Sequence, residues 1–447
     1  MKPITLHEVA AACGGMLHGD PDLVITSIVT DSRKAAEGSL FAAIKGERVD
    51  GHRFITMTVE QGAVCALCED APEIDTPYIQ VESTLVALKG IAEYYRSLFT
   101  IPFIGVTGSV GKTSTKELIS SVLSQKYNVH KTAGNFNNEL GVPLTLFGLE
   151  ESHEAAVIEM GISGFGEMTR LSKMVRPDIS VITNIGYCHL ENLGDRDGVL
   201  KAKTEMFTYL KDNGTIILCH DDDKLCTVTD YQGVKPIFYG TDPTDEYYAD
   251  HIEELLLDGV RCTLHHGDSV INVTIPAMGR HNVLNALCAM AVGKQLGLTD
   301  AQIKKGIESF ENVGSRNHII HTRGMTVIDD CYNANPTSTK AGLNTLSNFS
   351  GRTVALLGDM KELGADELAL HKEVGAYAKE KGVDLLISVG ALSKATAEGF
   401  GDGAVYFDTV EDCIAAIGDL LKEGDAVLVK ASHSMHFETI VASLKEE

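Results

Sequence analysis

IPFIGVTGSVGKTSTKEL, residues 101–118, decides how this chain folds. An apolar run at 103–106 stops at a loop carrying Gly108 and Gly111, and Lys112, Thr113 and Ser114 then open a stretch of helical character. Strand, glycine loop and helix in this order make a phosphate-binding loop. The glycines let backbone N–H groups curl around phosphate oxygens, the helix N-terminus adds positive potential, the lysine reaches the outer phosphates and a hydroxyl reaches Mg2+. The candidate nucleotide contacts are therefore Gly108, Ser109, Val110, Gly111, Lys112, Thr113 and Ser114. The full Walker pattern wants a further glycine where Val106 stands, so the motif is the shorter G-x-x-G-K-T. ATP or GTP is the expected ligand.

Around this loop the chain alternates strand and helix patterns, which predicts an α/β protein with a mainly parallel central sheet. At 447 residues it is long for one core, and three units are expected: 1–100, a small α/β domain; 101–313, the nucleotide-binding domain; and 314–447, a Rossmann-like domain. A formal net charge of -24 without a basic stripe argues against nucleic acid. The chain offers neither an apolar run near the ~20 residues of a membrane span nor a basic, then apolar, N-terminal leader. A cytoplasmic protein without membrane attachment is expected. The ten cysteines are scattered, which suggests free thiols, and Cys65 with Cys68 lacks the second pair of a zinc site.

In the first unit, TDSRK (30–34) and KGERVDGHRF (45–54) follow strand-like runs. Ser32, Arg33 and Lys45 suit a pyrophosphate-bearing ligand, while plain solvated turns have the same composition. In the second, TAGNFNNELGVP carries Asn135, Asn137 and Asn138, which also read as an asparagine-rich turn. AAVIEMG ends a strand in Glu159, where a carboxylate beside a phosphate loop serves Mg2+. The strand at 179–182 delivers His189 to the same edge. Lys203 falls in a helical pattern, and on local sequence it is an ordinary snorkelling lysine. Alternation at 260–278 predicts antiparallel strands, and a helix at 279–293 sets Asn282 and Asn285 on one face. In the third unit, DDCYNANPTS (329–338) and GDMKELG (358–364) stand at strand ends, where parallel sheets take ligands. No G-x-G-x-x-G is present, so a dinucleotide is not implied.

TGSVGKTS, TAGNFNNELGVP, VIEMG, NIGYCHL, AKTEMF, GRHNVLNA, DDCYNANP and GDMKELG together resemble the Mur ligases of bacterial peptidoglycan synthesis, over essentially the whole chain. These are three-domain enzymes that use ATP to add amino acids or dipeptides to a UDP-sugar-linked peptide. DDCYNANP with GDMKELG is most similar to the member that attaches D-alanyl-D-alanine to UDP-N-acetylmuramoyl-tripeptide through an acyl phosphate. The resemblance implies that Lys112 meets the ATP phosphates, that Thr113 and Glu159 hold Mg2+, and that His189 and a carbamylated Lys203 hold a second Mg2+. It puts Asn138 and Asn282 on the nucleotide, Asp330 on its ribose, and Arg316, in the linker, opposite. Ser32, Arg33 and Lys45 would take the UDP-sugar, and Asn333 and Asn335 the substrate side of the third domain. A monomer acting on small molecules is implied.

Three positions depart from the family pattern: GSR at 314–316 fits only its looser linker form, Cys219 takes an asparagine position, and His433 stands where an arginine is usual. Two other readings remain. A folylpolyglutamate synthase-like ligase shares the loop and the modified lysine but lacks the TDSR and KGERVDGH unit. A nucleotide-driven switch would release phosphate without an acceptor, and the absence of N-K-x-D weakens its GTPase form.

Overall fold

The computed structural model describes residues 1–46, 48–311 and 318–445. The chain builds three mixed α/β units around mostly parallel sheets. In the first, Met16–His18, Tyr78–Gln80, Cys65–Cys68, Ser39–Ala42 and Ser27–Val29 lie side by side, parallel except for the first pair. The strand expected at 23–29 is split. Val24–Ile25 pairs with Ile4–Thr5, whereas Ser27–Val29 joins the larger sheet, and Thr26 N–H between them donates to Gly38 O at 2.8 Å. The helix Leu6–Cys13 begins with a Thr5–Glu8 capping box and ends at Gly14 in the left-handed region, as its flanking residues dictate.

The second unit is a nine-stranded sheet in which Phe103–Thr107 sits between Ile179–Ile182 and Ala155–Glu159. All three are parallel and fully buried, so each reads as a continuous apolar run. Their carboxyl ends deliver the phosphate loop, Glu159 and the 183–189 segment to one edge. Beyond Tyr247–Glu254 the sheet turns antiparallel through Val260–His266 and Ser269–Ile275, matching the alternation there. Val129–Lys131, Tyr247–Glu254 and His318–Thr322 were not legible as strands; the first and last are short edge strands.

The third unit orders six strands as His318–Thr322, Met325–Asp329, Ala426–Lys430, Thr353–Gly358, Leu385–Val389 and Ala404–Phe407, parallel after the first pair. The start expected near Gly314, and Arg316 with it, lie outside the described residues.

Arg96 locks the first unit to the second. It is 3% exposed, and its guanidinium donates to Val175 O (2.6 Å), Phe99 O (3.0 Å) and Arg176 O (3.1 Å) while lying over the Phe103 ring. Burial pushes its pKa down to about 10. All ten cysteines are free, and burial pushes the Cys65 thiol up to about 12 and Cys68 to about 11. No helix of the described residues is long and apolar enough to cross a membrane.

Candidate active site

The phosphate loop forms one wall of a cleft of about 390 Å3 whose other wall comes from the third unit. Gly111 (φ +79°) precedes the helix Lys112–Leu123. The first half of the loop is braced from behind. Ser109 N–H donates to Asn184 O (3.0 Å), Val110 N–H to Asn184 Oδ1 (2.9 Å), and Val110 O accepts from Thr183 Oγ1 (2.6 Å) and Asn184 Nδ2 (2.9 Å). The N–H groups of Ser109 and Val110 are thus committed to the protein. The donors left for a phosphate are those of the helix's first turn, such as Thr113 and Ser114, which have no intrahelical acceptor. Lys112 Nζ folds back onto Gly108 O at 2.8 Å.

Gly108 has φ +150°, and a Cβ there would run into the Thr183 hydroxyl. Gly108→Ala is therefore expected to push the loop off its brace and weaken nucleotide binding at least about tenfold, read by calorimetric titration with ADP. Unchanged affinity would show that the brace does not set the loop.

Glu159 is 1% exposed. Its Oε2 accepts from Thr113 Oγ1 (2.8 Å), its Oε1 from Asn137 Nδ2 (2.8 Å), and Lys116 Nζ stands 3.7 Å from Oε2. A hydroxyl and a carboxylate side by side are hard oxygen donors and fit Mg2+. His189 borders the cleft with φ +52°. Its Nδ1 lies 2.6 Å from Glu362 Oε2 of the third unit. That contact holds the Glu362 carboxyl below the usual range. Lys203 is 1% exposed and burial pushes its amine down to about 8; its electrostatic neighbours are Cys188 and Lys112, with no carboxylate among them. As an ammonium it cannot hold a metal, and no group of three His, Cys, Asp or Glu among the described residues is arranged to do so. His189 and Lys203 fit a second Mg2+ only if the lysine carries a carboxylate.

On the opposite wall, Lys430 Nζ contacts Asp330 Oδ2 (2.6 Å) and Asn333 O (2.9 Å), so Asp330 reaches the cleft with its charge partnered. Asn335 also lines the cleft, but its Oδ1 caps the helix Pro336–Leu346 in a reciprocal pair with Ser338.

Three family models match the chain: the Mur ligase family catalytic domain at residues 24–100, the Mur ligase middle domain at 106–293 and the Mur ligase glutamate ligase domain at 315–433. A UDP-N-acetylmuramoyl-tripeptide--D-alanyl-D-alanine ligase from Bacillus subtilis (strain 168) is 37% identical over 434 residues, 95% of this chain and 94% of its own. The chain belongs to the Mur ligase family. A crystal structure of MurF from Acinetobacter baumannii superposes with a TM-score of 0.95 at 33% identity, all of both chains being covered. That of a MurF ligase from Thermotoga maritima in complex with ADP gives 0.83 at 29% identity, over 94% of this chain and 97% of its own.

Within this Mur ligase the structure brings Ser109 to Ser114, Asn138, Glu159, His189, Asp330, Asn333 and Asn335 to one cleft. Asn138 stands there with its Oδ1 accepting from Leu140 and Gly141 N–H, the capping role its turn-like surroundings allowed. Asn282 does not line the cleft. Its Nδ2 donates to Met278 O and its Oδ1 accepts from Asn285, whose Oδ1 takes the Thr115 hydroxyl at 2.9 Å. The asparagine pair therefore pins its helix to the loop helix, and the neighbouring His281 is what faces the cleft. Ser32, Arg33 and Lys45 lie apart from the cleft, at the carboxyl ends of Ser27–Val29 and Ser39–Ala42, with Arg33 paired to Asp31 at 2.7 Å. Beside them His52 is held by Asp50 (2.6 Å) and accepts Glu69 N–H at Nε2 (2.9 Å). Asn184 and Lys430, both at strand ends, were missed; the same strand-end rule that marked Glu159 points to them.

Proposed function

We propose that this Mur ligase joins D-alanyl-D-alanine to UDP-N-acetylmuramoyl-tripeptide with ATP, releasing ADP and phosphate. The observation that carries the reading is full-length likeness to a ligase of that name, 37% identical over 95% of the chain, on a cleft that faces a phosphate loop with Asp330 and Asn333. The match through residues 24–100 favours this ligase over a folate-type one. We assign ATP to 101–313, the UDP-sugar-peptide to 1–100 through Ser32, Arg33 and Lys45, and the dipeptide to 314–447. A monomer in the cytoplasm is part of the proposal.

The tripeptide carboxylate attacks the γ-phosphorus, the bond to the bridging oxygen breaks and ADP leaves. The amine of D-alanyl-D-alanine then attacks the acyl phosphate, loses a proton, and phosphate departs as the amide forms. Both partners of the first step are anions, so the site must supply countercharge. Lys112 leaves the Gly108 carbonyl for the phosphates, and the first turn of Lys112–Leu123 donates N–H groups to them. Thr113 and Glu159 would hold Mg2+, which when bound neutralises phosphate charge. Asp330, steadied by Lys430, offers its carboxylate to a ribose hydroxyl. The third unit, reaching over His189 through Glu362, excludes water from an intermediate that would hydrolyse.

Lys203 suits carbamylation. With its pKa near 8, roughly a tenth of the amine is neutral at pH 7. That nitrogen attacks CO2, loses its proton and becomes a carboxylate beside Lys112, the charge a second Mg2+ with His189 needs.

The test is ATP-dependent phosphate release with UDP-N-acetylmuramoyl-tripeptide, with and without D-alanyl-D-alanine, the UDP-pentapeptide being followed by mass. Release that requires both substrates and yields the pentapeptide supports the proposal. Release without an acceptor would turn the reading to a switch, and activity only with glutamate and a folate to the sister ligase.

A further inference from the structure

We infer that Lys116 is a positioning residue that makes the metal site at Glu159 depend on bound nucleotide: the divalent cation enters with the phosphates and does not load alone. The inference rests on the assignment of Glu159 and Thr113 to Mg2+ made above.

Lys116 is 0% exposed, one turn along the loop helix from Thr113. Its Nζ donates to Thr132 O (2.7 Å), pairs with Glu117 Oε1 (3.0 Å) and stands 3.7 Å from Glu159 Oε2. Glu117 is shared with Lys131, and these cations hold its carboxyl below the usual range against the effect of burial. Two ammonium groups and two carboxylates therefore form one packed cluster whose formal charge is zero. Each Glu159 oxygen also accepts a hydrogen bond, Oε2 from the Thr113 hydroxyl and Oε1 from the Asn137 amide.

A divalent ion arriving alone meets a neutral cluster with a cation beyond its one carboxylate, in surroundings too buried for water to screen the repulsion. Lys116 cannot swing aside, because its stem is enclosed and its ammonium is bound to a backbone carbonyl. Nucleotide phosphates bring the negative charge the cluster lacks, and the Thr113 hydroxyl can then turn from Glu159 to the metal. The same ammonium that discourages a free ion aims Glu159 Oε2 at the loop.

Mn2+ serves as the probe, its free and bound forms distinguished by electron paramagnetic resonance on the full chain. Wild type is expected to bind Mn2+ at least about a hundredfold more weakly without a non-hydrolysable ATP analogue than with it. Lys116→Met, checked for folding by its thermal transition, should bind Mn2+ without nucleotide at least about tenfold more tightly than wild type. Lys131→Ala, at a half-exposed position that tolerates the change, also leaves the cluster one charge negative and should move binding in the same direction by a few fold. Equal Mn2+ affinity of wild type with and without the analogue would overturn the inference, as would nucleotide-free binding unchanged in both folded Lys116→Met and Lys131→Ala. Absence of Mn2+ binding even with the analogue would overturn the metal assignment itself, and this inference with it.

Discussion

Lys112→Ala is expected to lower the rate of ATP-dependent ligation by about 10³-fold or more, while ADP affinity falls much less. The argument is electrostatic. Phosphoryl transfer to a carboxylate concentrates negative charge between two anions, and a single preorganised donor aimed at such charge is worth about 10²–10³ in rate. Lys112 is a full positive charge as well as a donor, and its Nζ already sits against the Gly108 carbonyl, within the loop it would serve. The backbone donors remain in the variant, so ground-state binding persists. Lys112→Arg is not expected to restore the rate, since a planar guanidinium cannot occupy the space of a compact ammonium folded over a glycine loop. The check is kcat under saturating substrates beside a calorimetric Kd for ADP. A loss below about tenfold would place the countercharge elsewhere.

The same region shows what sequence could and could not reveal. Strand, loop and helix at 103–123 were legible because the strand is buried on both faces and reads as an unbroken apolar run, and because only glycine tolerates φ +150° at 108. Glu159 was legible for the same reason: it ends a buried strand adjacent to the loop in register, opposite Val106. What a side chain does with its hydrogen bonds was not legible. Asn282 and Asn285 share a helical face, as their spacing requires, and that face turns toward Thr115 of the loop helix. Likewise the N–H groups of Ser109 and Val110 belong to a loop whose composition promises phosphate contacts, but Asn184, from a segment more than seventy residues away, takes them. Spacing fixes a direction relative to the element; only packing decides what lies in that direction.

Contacts between units were the least legible. His189 meets Glu362 across the boundary, through residues that local sequence presents as unremarkable strand-end polar groups. Their pairing follows from the placement of the third unit's strand ends opposite the second's. Glu362 has φ +64° and His189 φ +52°, both in the left-handed region, so each loop bends to bring its polar group to the boundary.

Lys203 separates a functional lysine from a structural one through the sign of its effect on stability. The folded protein holds its pKa near 8 against an ordinary value of 10.5, and burial is the main cause. Between pH 8 and about 10.4 the unfolded chain binds the proton and the folded chain does not, so stability rises with pH across that window. Below pH 8 both states are protonated, and the folded state carries the whole cost of an enclosed ammonium, about 3 kcal/mol. Lys203→Met keeps the stem and removes the charge. In CO2-free buffer at pH 7 it is therefore expected to raise the free energy of unfolding by up to about 3 kcal/mol, with the gain fading toward pH 10.5. The same substitution should abolish ligation, and small carboxylates should partly restore activity to Lys203→Ala. A lysine retained for packing would give the opposite pair of results, lower stability with activity spared. Denaturant unfolding at pH 7 and pH 10, beside the ligation assay, distinguishes the two. Destabilisation at pH 7 would mean that the amine has a favourable partner in the fold, and the carbamate would lose its physical motive. Stabilisation with loss of activity would mean that the chain tolerates an unfavourable buried cation because the reaction requires the group it becomes.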